Sequence, residues 1–284
     1  LLSLNLLKIL MDDFSIDELK HKMTIINPEW HPTVAEGDQA HGRTLEDLLG
    51  VPENNISLPD YGNIEIKTKK LADDDDVDNG YISLFTKEPK PREPIKFQNK
   101  KAAIPLLLLS MGYKHWQAGT RHNIDEKSFN STLYGHKYNV RGMKIEVDES
   151  NIKLIFNPNE VDKSSVEKSK GDQEYKNLGE WLSDIENRKS PNYNQIMPLY
   201  YEKSVIENLF LQKLNNIFFV LCRKKKIKGK VHFKYVSGFM LKDLMKEKIK
   251  DLFTNGIVIE ITARTHHNHG TRLRITRDNL FSFY

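Results

Sequence analysis

Two carboxylates lie beside a lysine in residues 60–67, and the carboxylates could hold a divalent cation. Glu65 and Lys67 are two positions apart in a segment that alternates like a β-strand, so their side chains project from one face. Asp60 precedes this strand by a Tyr-Gly-Asn turn that can bring its carboxylate back toward Glu65. Magnesium takes oxygen ligands and keeps positions for water and phosphate, and a nearby lysine can orient the attacking water. The spacing indicates either such a site or an ordinary ion pair on an exposed strand.

The strand that carries these residues needs a buried opposite face. Ile64 and Ile66 alternate with Glu65, and this alternation predicts that the isoleucine face of the strand contacts a core. A second strand is predicted at 81–86, with a polar hairpin loop between the two strands. Four consecutive aspartates, 73–76, lie in this loop without the spacing of an EF-hand, and a solvated hairpin tip explains them.

A short helix is predicted just upstream of the strand. Thr44 and Asp47 have the spacing of an N-cap and the third helical position, and Gly50 ends the leucine-rich segment. Glu46 lies in this helix, where the residues alone indicate an ordinary surface position.

The remaining chain predicts a mixed α/β architecture, because helical and strand patterns interleave throughout. Helices are predicted at 16–26, 100–112, 204–214 and 239–253. Strands are predicted at 216–223, 230–237, 256–264 and 271–276, and a three-stranded meander over 130–157. The polar segment 158–195 is the best candidate for a linker.

The composition is ordinary for a globular protein, with 38% hydrophobic residues, 29% charged residues and a net charge of +4. No apolar run approaches the roughly 18 residues that span a membrane, so we expect no membrane association. The single cysteine, Cys222, excludes an intrachain disulfide and a multi-cysteine zinc site. Its apolar surroundings predict a buried thiol, and a cytoplasmic location is consistent with it.

Two basic or histidine-rich segments could contact an anionic partner. Six of the eight residues from Arg223 to Lys230 are cations, which is typical either of phosphate binding or of a solvated hairpin tip. Residues 266–269 read His-His-Asn-His. Histidine and asparagine can hydrogen-bond base edges, whereas the spacing lacks the helical pair and the cysteines typical of zinc sites.

The order of these motifs resembles that of a known nuclease family. Pro59-Asp60 followed by Glu65-Ile66-Lys67 is similar to the PD-(D/E)XK nuclease signature. Together with the segments 42–50, 82–89, 236–239 and 267–272, it resembles the MvaI/BcnI restriction endonucleases, relatives of the mismatch-repair nicking enzyme MutH. The resemblance runs from about residue 40 to about residue 276 in the family's order.

The resemblance implies a role for each residue of the site. Asp60 and Glu65 would bind Mg²⁺, with the Ile66 carbonyl as a third ligand. Lys67 would position the attacking water. Glu46 matches a further acidic residue near these active sites and would have an auxiliary role.

The resemblance also implies double-stranded DNA as the partner. It places base-contacting residues in the closing segment: His267, His269 and Arg272, with Asn268 and Arg274, to which we add Arg264 and Lys69 as further DNA contacts. Family members carry an acidic residue where Asn268 stands, so the recognised bases stay open.

The family's fold and reaction follow as expectations. We expect a PD-(D/E)XK core with a central mixed sheet flanked by helices, and two lobes around a DNA cleft. The catalytic lobe would be mainly 1–120 and the recognition lobe mainly 121–284, with strands returning to the shared core. The reaction would be type II, site-specific DNA hydrolysis leaving 5′-phosphate ends, by a monomer that cuts a short pseudopalindromic site one strand at a time beside a cognate methyltransferase. Alternatives are a MutH-like methyl-directed nicking enzyme, a catalytically silent DNA-binding module, and an RNA or structure-specific nuclease.

Overall fold

The chain forms a mixed α/β fold with several sheets, divided into two compact units. A computed structural model describes residues 16–37, 39–51, 59–71, 80–90, 104, 107–108, 111–169, 181–183, 199–266 and 271–284. One unit comprises 1–82, 208–246 and 281–284, and the other comprises 83–207 and 247–280. Within the described ranges, no helix is long and apolar enough to cross a membrane.

The first unit is built on a four-stranded sheet in the order β1-β10-β9-β2. Its strands are β1 (His31–Pro32), β2 (Glu65–Lys70), β9 (Asn216–Ile227) and β10 (Lys230–Lys242). β9 and β10 form a long antiparallel hairpin, and β2 pairs parallel with β9. Among the described strands, β2 therefore lies at one edge of this sheet.

Two helices cover one face of this sheet because they share a core with it. They are α1 (Ile16–Ile26) and α2 (Ala40–Leu49). The buried side chains of this core include Leu19, Met23, Ile26, Leu45, Leu49, Ile64, Ile66, Phe218, Val220, Cys222, Phe233 and Tyr235. On the other face the ring of Phe219 meets that of Phe281, with centroids 5.6 Å apart. The predicted burial of Ile64, Ile66 and Cys222 is confirmed, and burial raises the pKa of the Cys222 thiol to about 12.

The second unit contains two sheets. One has the order β3-β12-β11-β5-β4 and the other the order β6-β7-β8. Their strands are β3 (Tyr81–Thr86), β4 (Tyr113–Lys114), β5 (Lys127–Tyr134), β6 (Arg141–Val147), β7 (Asn151–Val161), β8 (Leu199–Glu202), β11 (Ile257–Arg264) and β12 (Thr271–Thr276). The helices are α3 (Lys163–Ser169), α4 (Lys203–Leu214), which crosses into the first unit, and α5 (Arg277–Phe281).

Three predictions about these elements are wrong: two concern which strands pair, and one concerns a helix. β2 and β3 lie in different sheets and do not form a hairpin, and β5 lies in a different sheet from β6 and β7. The helix predicted at 239–253 is strand as far as Lys242, followed by short helical turns over 246–256. Strand pairing overrides the helical pattern there, because Gly238 pairs with Val220 and leaves room for the Phe218 ring.

Other predicted elements are confirmed. β11 and β12 lie within a residue of their predicted bounds, as does α4. Residues 104, 107, 108 and 111 are helical and buried, as predicted for the helix 100–112. Of the polar segment 158–195, the described residues include the end of β7 and the helix α3. The assignment of lobes to 1–120 and 121–284 stays a prediction.

Candidate active site

The strand β2 brings a carboxylate and a lysine to one face and keeps its other face in the core. Glu65 opens the strand and is only 2% exposed, while Lys67 is half-buried beside it. Ile64 and Ile66 alternate with them and pack into the core. A carboxylate this deeply buried is not the exposed strand residue that the simpler interpretation of the sequence required.

A tight turn before β2 fixes Asp60 beside the strand. Tyr61 and Ile64 exchange two backbone hydrogen bonds of 2.9 Å, and Gly62 between them has a φ of 61°. The turn folds Asp60 back so that its Oδ2 accepts a hydrogen bond of 2.9 Å from the Ile66 amide. The predicted return of Asp60 toward the strand is confirmed.

Two lysines approach the two oxygens of the Glu65 carboxylate. Lys67 Nζ donates a hydrogen bond of 2.6 Å to Oε1. Lys213, in the last turn of α4, places its Nζ 3.9 Å from Oε2. At this distance the two groups form an ion pair rather than a hydrogen bond, and Oε2 is buried with no hydrogen-bond partner among the residues that the structure describes.

Opposing effects act on the pKa of the Glu65 carboxyl. Burial raises its pKa above the ordinary value of 4.5, and the negative charge of Asp60 adds to this. Lys67 opposes the rise through its charge and its hydrogen bond, and Lys213 opposes it through its charge. A bound cation would favour the ionised carboxylate further.

Glu46 belongs to the same electrostatic cluster although it lies on a helix. Burial raises the pKa of its carboxyl above 4.5, and so do the charges of Asp60 and Glu65, while Lys67 and Arg43 lower it. Its helix approaches β2 closely at Gly42, where an added Cβ would lie 3.3 Å from Thr68 Oγ1 and 3.9 Å from Glu46 Oε1.

The helix start predicted at Thr44 is wrong. The helix α2 begins at Ala40, and Thr44 lies in its interior, where its Oγ1 donates a hydrogen bond of 2.7 Å to the Ala40 carbonyl. A threonine that bonds backward along the helix satisfies its hydroxyl without capping. The predicted end is confirmed, because Gly50 adopts a left-handed φ of 76° and caps the helix.

The donor set fits magnesium better than a metal that needs a full protein cage. No group of three or more His, Cys, Asp or Glu side chains that could hold a metal ion occurs in the described part of the chain. Magnesium usually takes only one or two carboxylates and fills its remaining positions with water and phosphate. The carboxylates of Asp60 and Glu65 meet that requirement, and Glu65 Oε2 is buried with no hydrogen-bond partner among the described residues.

The residues that the resemblance assigned to DNA lie partly in the second unit. Arg264 Nε is 3.2 Å from the buried Glu126 Oε1, and Arg274 forms an ion pair with Glu260. Arg272 of β12 lies directly opposite Glu260 of β11 in the strand register. Lys69 is half-buried on β2, on the same face as Lys67. His267, Asn268 and His269 lie outside the described residues.

Comparison with known proteins places the chain in a family. The model of the MvaI/BcnI restriction endonuclease family matches residues 19–284. The chain belongs to this family. Among solved structures it is similar to restriction endonuclease MvaI in complex with its cognate DNA substrate, with 21% identity, a TM-score of 0.67, and coverage of 96% of this chain and 97% of that chain. It is also similar to MvaI in the absence of DNA, with 20% identity, a TM-score of 0.44 and coverage of 96% of each chain. No curated protein sequence matches the chain.

This MvaI/BcnI family member has charged residues near the proposed sites that the sequence did not reveal. Lys213 lies 3.9 Å from Glu65 Oε2, and Glu126 and Glu260 form ion pairs with Arg264 and Arg274. No local sequence signal indicates Lys213, because it reaches Glu65 only through the pairing of β2 with β9, which begins two residues after the helix of Lys213 ends.

Proposed function

We propose that this protein is a type II restriction endonuclease that hydrolyses phosphodiester bonds in double-stranded DNA at a specific site and requires Mg²⁺. One observation carries the proposal: Asp60, Glu65 and Lys67 lie together at β2, and in the described part of the chain a buried Glu65 oxygen has no hydrogen-bond partner. Membership of the MvaI/BcnI restriction endonuclease family and the shared fold with MvaI, whose structure contains cognate DNA, support this choice of reaction and substrate.

Asp60 and Glu65 would hold the magnesium ion, with the Ile66 carbonyl as a third ligand. When bound, the ion would polarise the scissile phosphate and lower the pKa of a bound water. The turn at Tyr61–Ile64 presets the Asp60 carboxylate, so little rearrangement is needed before the ion binds.

Lys67 would orient the attacking water, and Glu46 would assist it. The hydrogen bond to Glu65 fixes the Lys67 ammonium at the edge of the site, where its remaining N–H groups can bind water or a phosphate oxygen. A carboxylate whose pKa is raised, as at Glu46, is a stronger base than an ordinary one. The water oxygen would attack phosphorus, and the bond to the 3′ oxygen would break, leaving 5′-phosphate and 3′-hydroxyl ends.

DNA sequence would be read by the closing segment of the chain. We assign base contacts to His267, His269 and Arg272, with Asn268, Arg274 and Arg264 beside them, and a further DNA contact to Lys69. An arginine whose guanidinium is held by a carboxylate presents its remaining donors in a fixed direction, which suits bidentate contact with guanine. Glu126 would fix Arg264 in this way, and Glu260 would fix Arg274.

The wider organisation follows the same proposal. The PD-(D/E)XK core would carry the catalytic residues, mainly in residues 1–120, and the recognition lobe would lie mainly in 121–284. The enzyme would act in the cytoplasm as a monomer that cuts one strand at a time, and a cognate DNA methyltransferase would protect the host's own sites.

Digestion of phage DNA with the wild-type protein, followed by sequencing of the ends, tests the proposal. We expect discrete fragments with 5′-phosphate ends when Mg²⁺ is present and intact DNA when a chelator is present. Nicks confined to hemimethylated sites would instead indicate a MutH-like enzyme. Tight DNA binding without cleavage at any metal concentration would leave a DNA-binding module.

A further inference from the structure

The far half of the β9–β10 hairpin concentrates positive charge. From Asn216 to Lys242 the chain has no Asp or Glu, and its cations are Arg223, Lys224, Lys225, Lys226, Lys228, Lys230, Lys234 and Lys242. Arg223 and Lys234 are direct cross-strand partners. Like charges in that position destabilise a sheet, so the arrangement is not explained by the stability of the fold.

The strand register places part of this charge on the face of the active site. Glu65, Lys67 and Lys69 pair with Ile217, Phe219 and Leu221 of β9. Side chains alternate along a strand, so Arg223 and Lys225 continue the same face. Their cross-strand partners on β10 are Lys234 and His232, and Lys230 pairs with Ile227. These five residues, Arg223, Lys225, Lys230, His232 and Lys234, are called the cationic strip below.

This face of β9 is buried at its start and becomes exposed to solvent where the cationic strip begins. Ile217 and Phe219 are fully buried, Leu221 is half-buried, and Arg223 and Lys225 are exposed. The side chain of Lys225 is partly ordered by the Trp30 ring, whose centroid lies 5.0 Å from its Nζ. A side chain that is already ordered loses less entropy when it binds a partner.

The length of the face matches a segment of duplex DNA. Lys225 lies six residues beyond Phe219, the partner of Lys67, which corresponds to about 20 Å along the strand. Duplex DNA presents one phosphate per about 3.4 Å of axis on each strand, so this length spans roughly six base pairs.

We propose that the cationic strip binds the phosphate backbone of the duplex that flanks the cleaved bond. This proposal rests on the proposed function, because the strip shares a sheet face with Glu65 and Lys67. Contacts of this kind position the enzyme on DNA without reading the sequence. They would strengthen binding to any duplex that extends far enough beyond the cut.

The test compares two double variants that remove equal charge from opposite faces of the hairpin. Lys225→Gln/Lys230→Gln removes two exposed cations from the cationic strip. The matched control, Lys224→Gln/Lys226→Gln, removes two exposed cations from the other face of the same hairpin. Binding of a 30-base-pair duplex is measured by fluorescence anisotropy from 50 to 300 mM salt without magnesium, and circular dichroism checks that both variants fold.

Loss of two phosphate contacts should lower the slope of log K against log salt by about 1.8 in the cationic-strip variant, since each contact contributes about 0.9. The control variant should keep a slope near that of the wild type. Equal slopes in all three proteins, or an equal decrease in both variants, would overturn the proposal even if wild type cleaves DNA at specific sites. A wild type that neither binds nor cleaves duplex DNA would overturn the proposed function and this proposal together. Binding of the cationic strip to an acidic peptide but not to duplex DNA would overturn this proposal as well.

Discussion

At the scale of single residues, the site depends on how one buried carboxylate is kept in place. Glu65 has a lysine at each oxygen, one hydrogen-bonded at 2.6 Å and the other 3.9 Å away. Lysines at both oxygens stabilise the ionised form, which metal binding requires. The second lysine comes from a helix far away in the sequence, so Lys213 connects the packing of α4 to the chemistry at β2.

Replacing Lys213 should impair catalysis without unfolding the protein. Lys213→Met keeps the aliphatic volume but removes the cation beside Glu65 Oε2, and we expect cleavage to slow by about 10- to 100-fold, as for other residues that support metal ligands. Lys213→Arg should recover part of the rate. The rate is measured in single turnover at saturating DNA.

Lys203→Met is a matched control for this prediction, because Lys203 lies on the same helix and pairs with Glu207 at 3.6 Å. It should cleave like the wild type. Unchanged cleavage by Lys213→Met, or the same loss in both variants, would contradict the role assigned to Lys213.

The raised pKa of Glu65 predicts the acid side of the pH–rate profile. As the proposed metal ligand this carboxyl must be ionised, so activity should be present above its pKa and should be lost as the pH falls through it. At subsaturating Mg²⁺ the midpoint of this loss should lie above 4.5.

Lys213→Met should move that midpoint to higher pH, since the Lys213 charge lowers the Glu65 pKa. The profile is measured as cleavage rate against pH at fixed ionic strength. A midpoint at or below 4.5, or one that Lys213→Met moves downward, would contradict this account.

At the scale of elements, the turn before β2 determines where Asp60 lies. Gly62 adopts a φ of 61°, which side-chain-bearing residues rarely adopt. The turn closes through the two Tyr61–Ile64 hydrogen bonds and lets Asp60 reach the Ile66 amide. The position of Asp60, a proposed metal ligand, therefore depends on a glycine that has no chemistry of its own.

Gly62→Ala should reduce cleavage more than its effect on stability explains. We expect a loss of about 1 kcal/mol in the free energy of unfolding, measured by chemical denaturation, together with at least a tenfold loss in single-turnover rate, because a shift of the carboxylate by about 1 Å is sufficient for such losses. Gly229→Ala, at the tip of the β9–β10 hairpin with a φ of 81°, is the control. It should lose similar stability and retain its cleavage rate, and equal rate losses in both variants would argue against a specific role for the turn.

The sequence predicted the elements that depend on contacts within a few residues. The alternation around Ile64 and Ile66 indicated a strand, and Gly50 indicated a helix end, because each pattern reflects contacts within a few residues. The pairing of β2 with β9 joins residues about 150 positions apart, and no local pattern encodes it. Lys213 was missed for the same reason, since only this pairing brings the end of α4 to Glu65.

At the scale of the whole molecule, catalytic and DNA-reading residues are assigned to different units. Asp60, Glu65 and Lys67 belong to the unit formed by 1–82, 208–246 and 281–284, whereas Arg264, Arg272 and Arg274 belong to the other. We therefore expect binding specificity and catalysis to be separable by substitution.

Arg272→Ala and Lys67→Ala should therefore fail in different ways. Lys67→Ala should bind the cognate site as tightly as the wild type in Ca²⁺ but should not cleave it. Arg272→Ala should lose about 1–3 kcal/mol of discrimination between the cognate site and a site changed at one base pair. Equilibrium binding to both duplexes measures the discrimination. If Arg272→Ala discriminates as well as the wild type, Arg272 does not read a base.

The most direct test of the central claim is Mg²⁺-dependent cleavage of the mapped site by wild type and by Glu65→Gln, an isosteric change that removes the charge on the proposed metal ligand. Single-turnover cleavage is measured alongside DNA binding and thermal unfolding of the same samples. The account predicts that Glu65→Gln folds and binds DNA but cleaves at least 1,000-fold more slowly at any Mg²⁺ concentration, in line with other losses of charge-stabilising groups at active sites. A Glu65→Gln protein that cleaves the same site at a rate near that of the wild type would contradict the account.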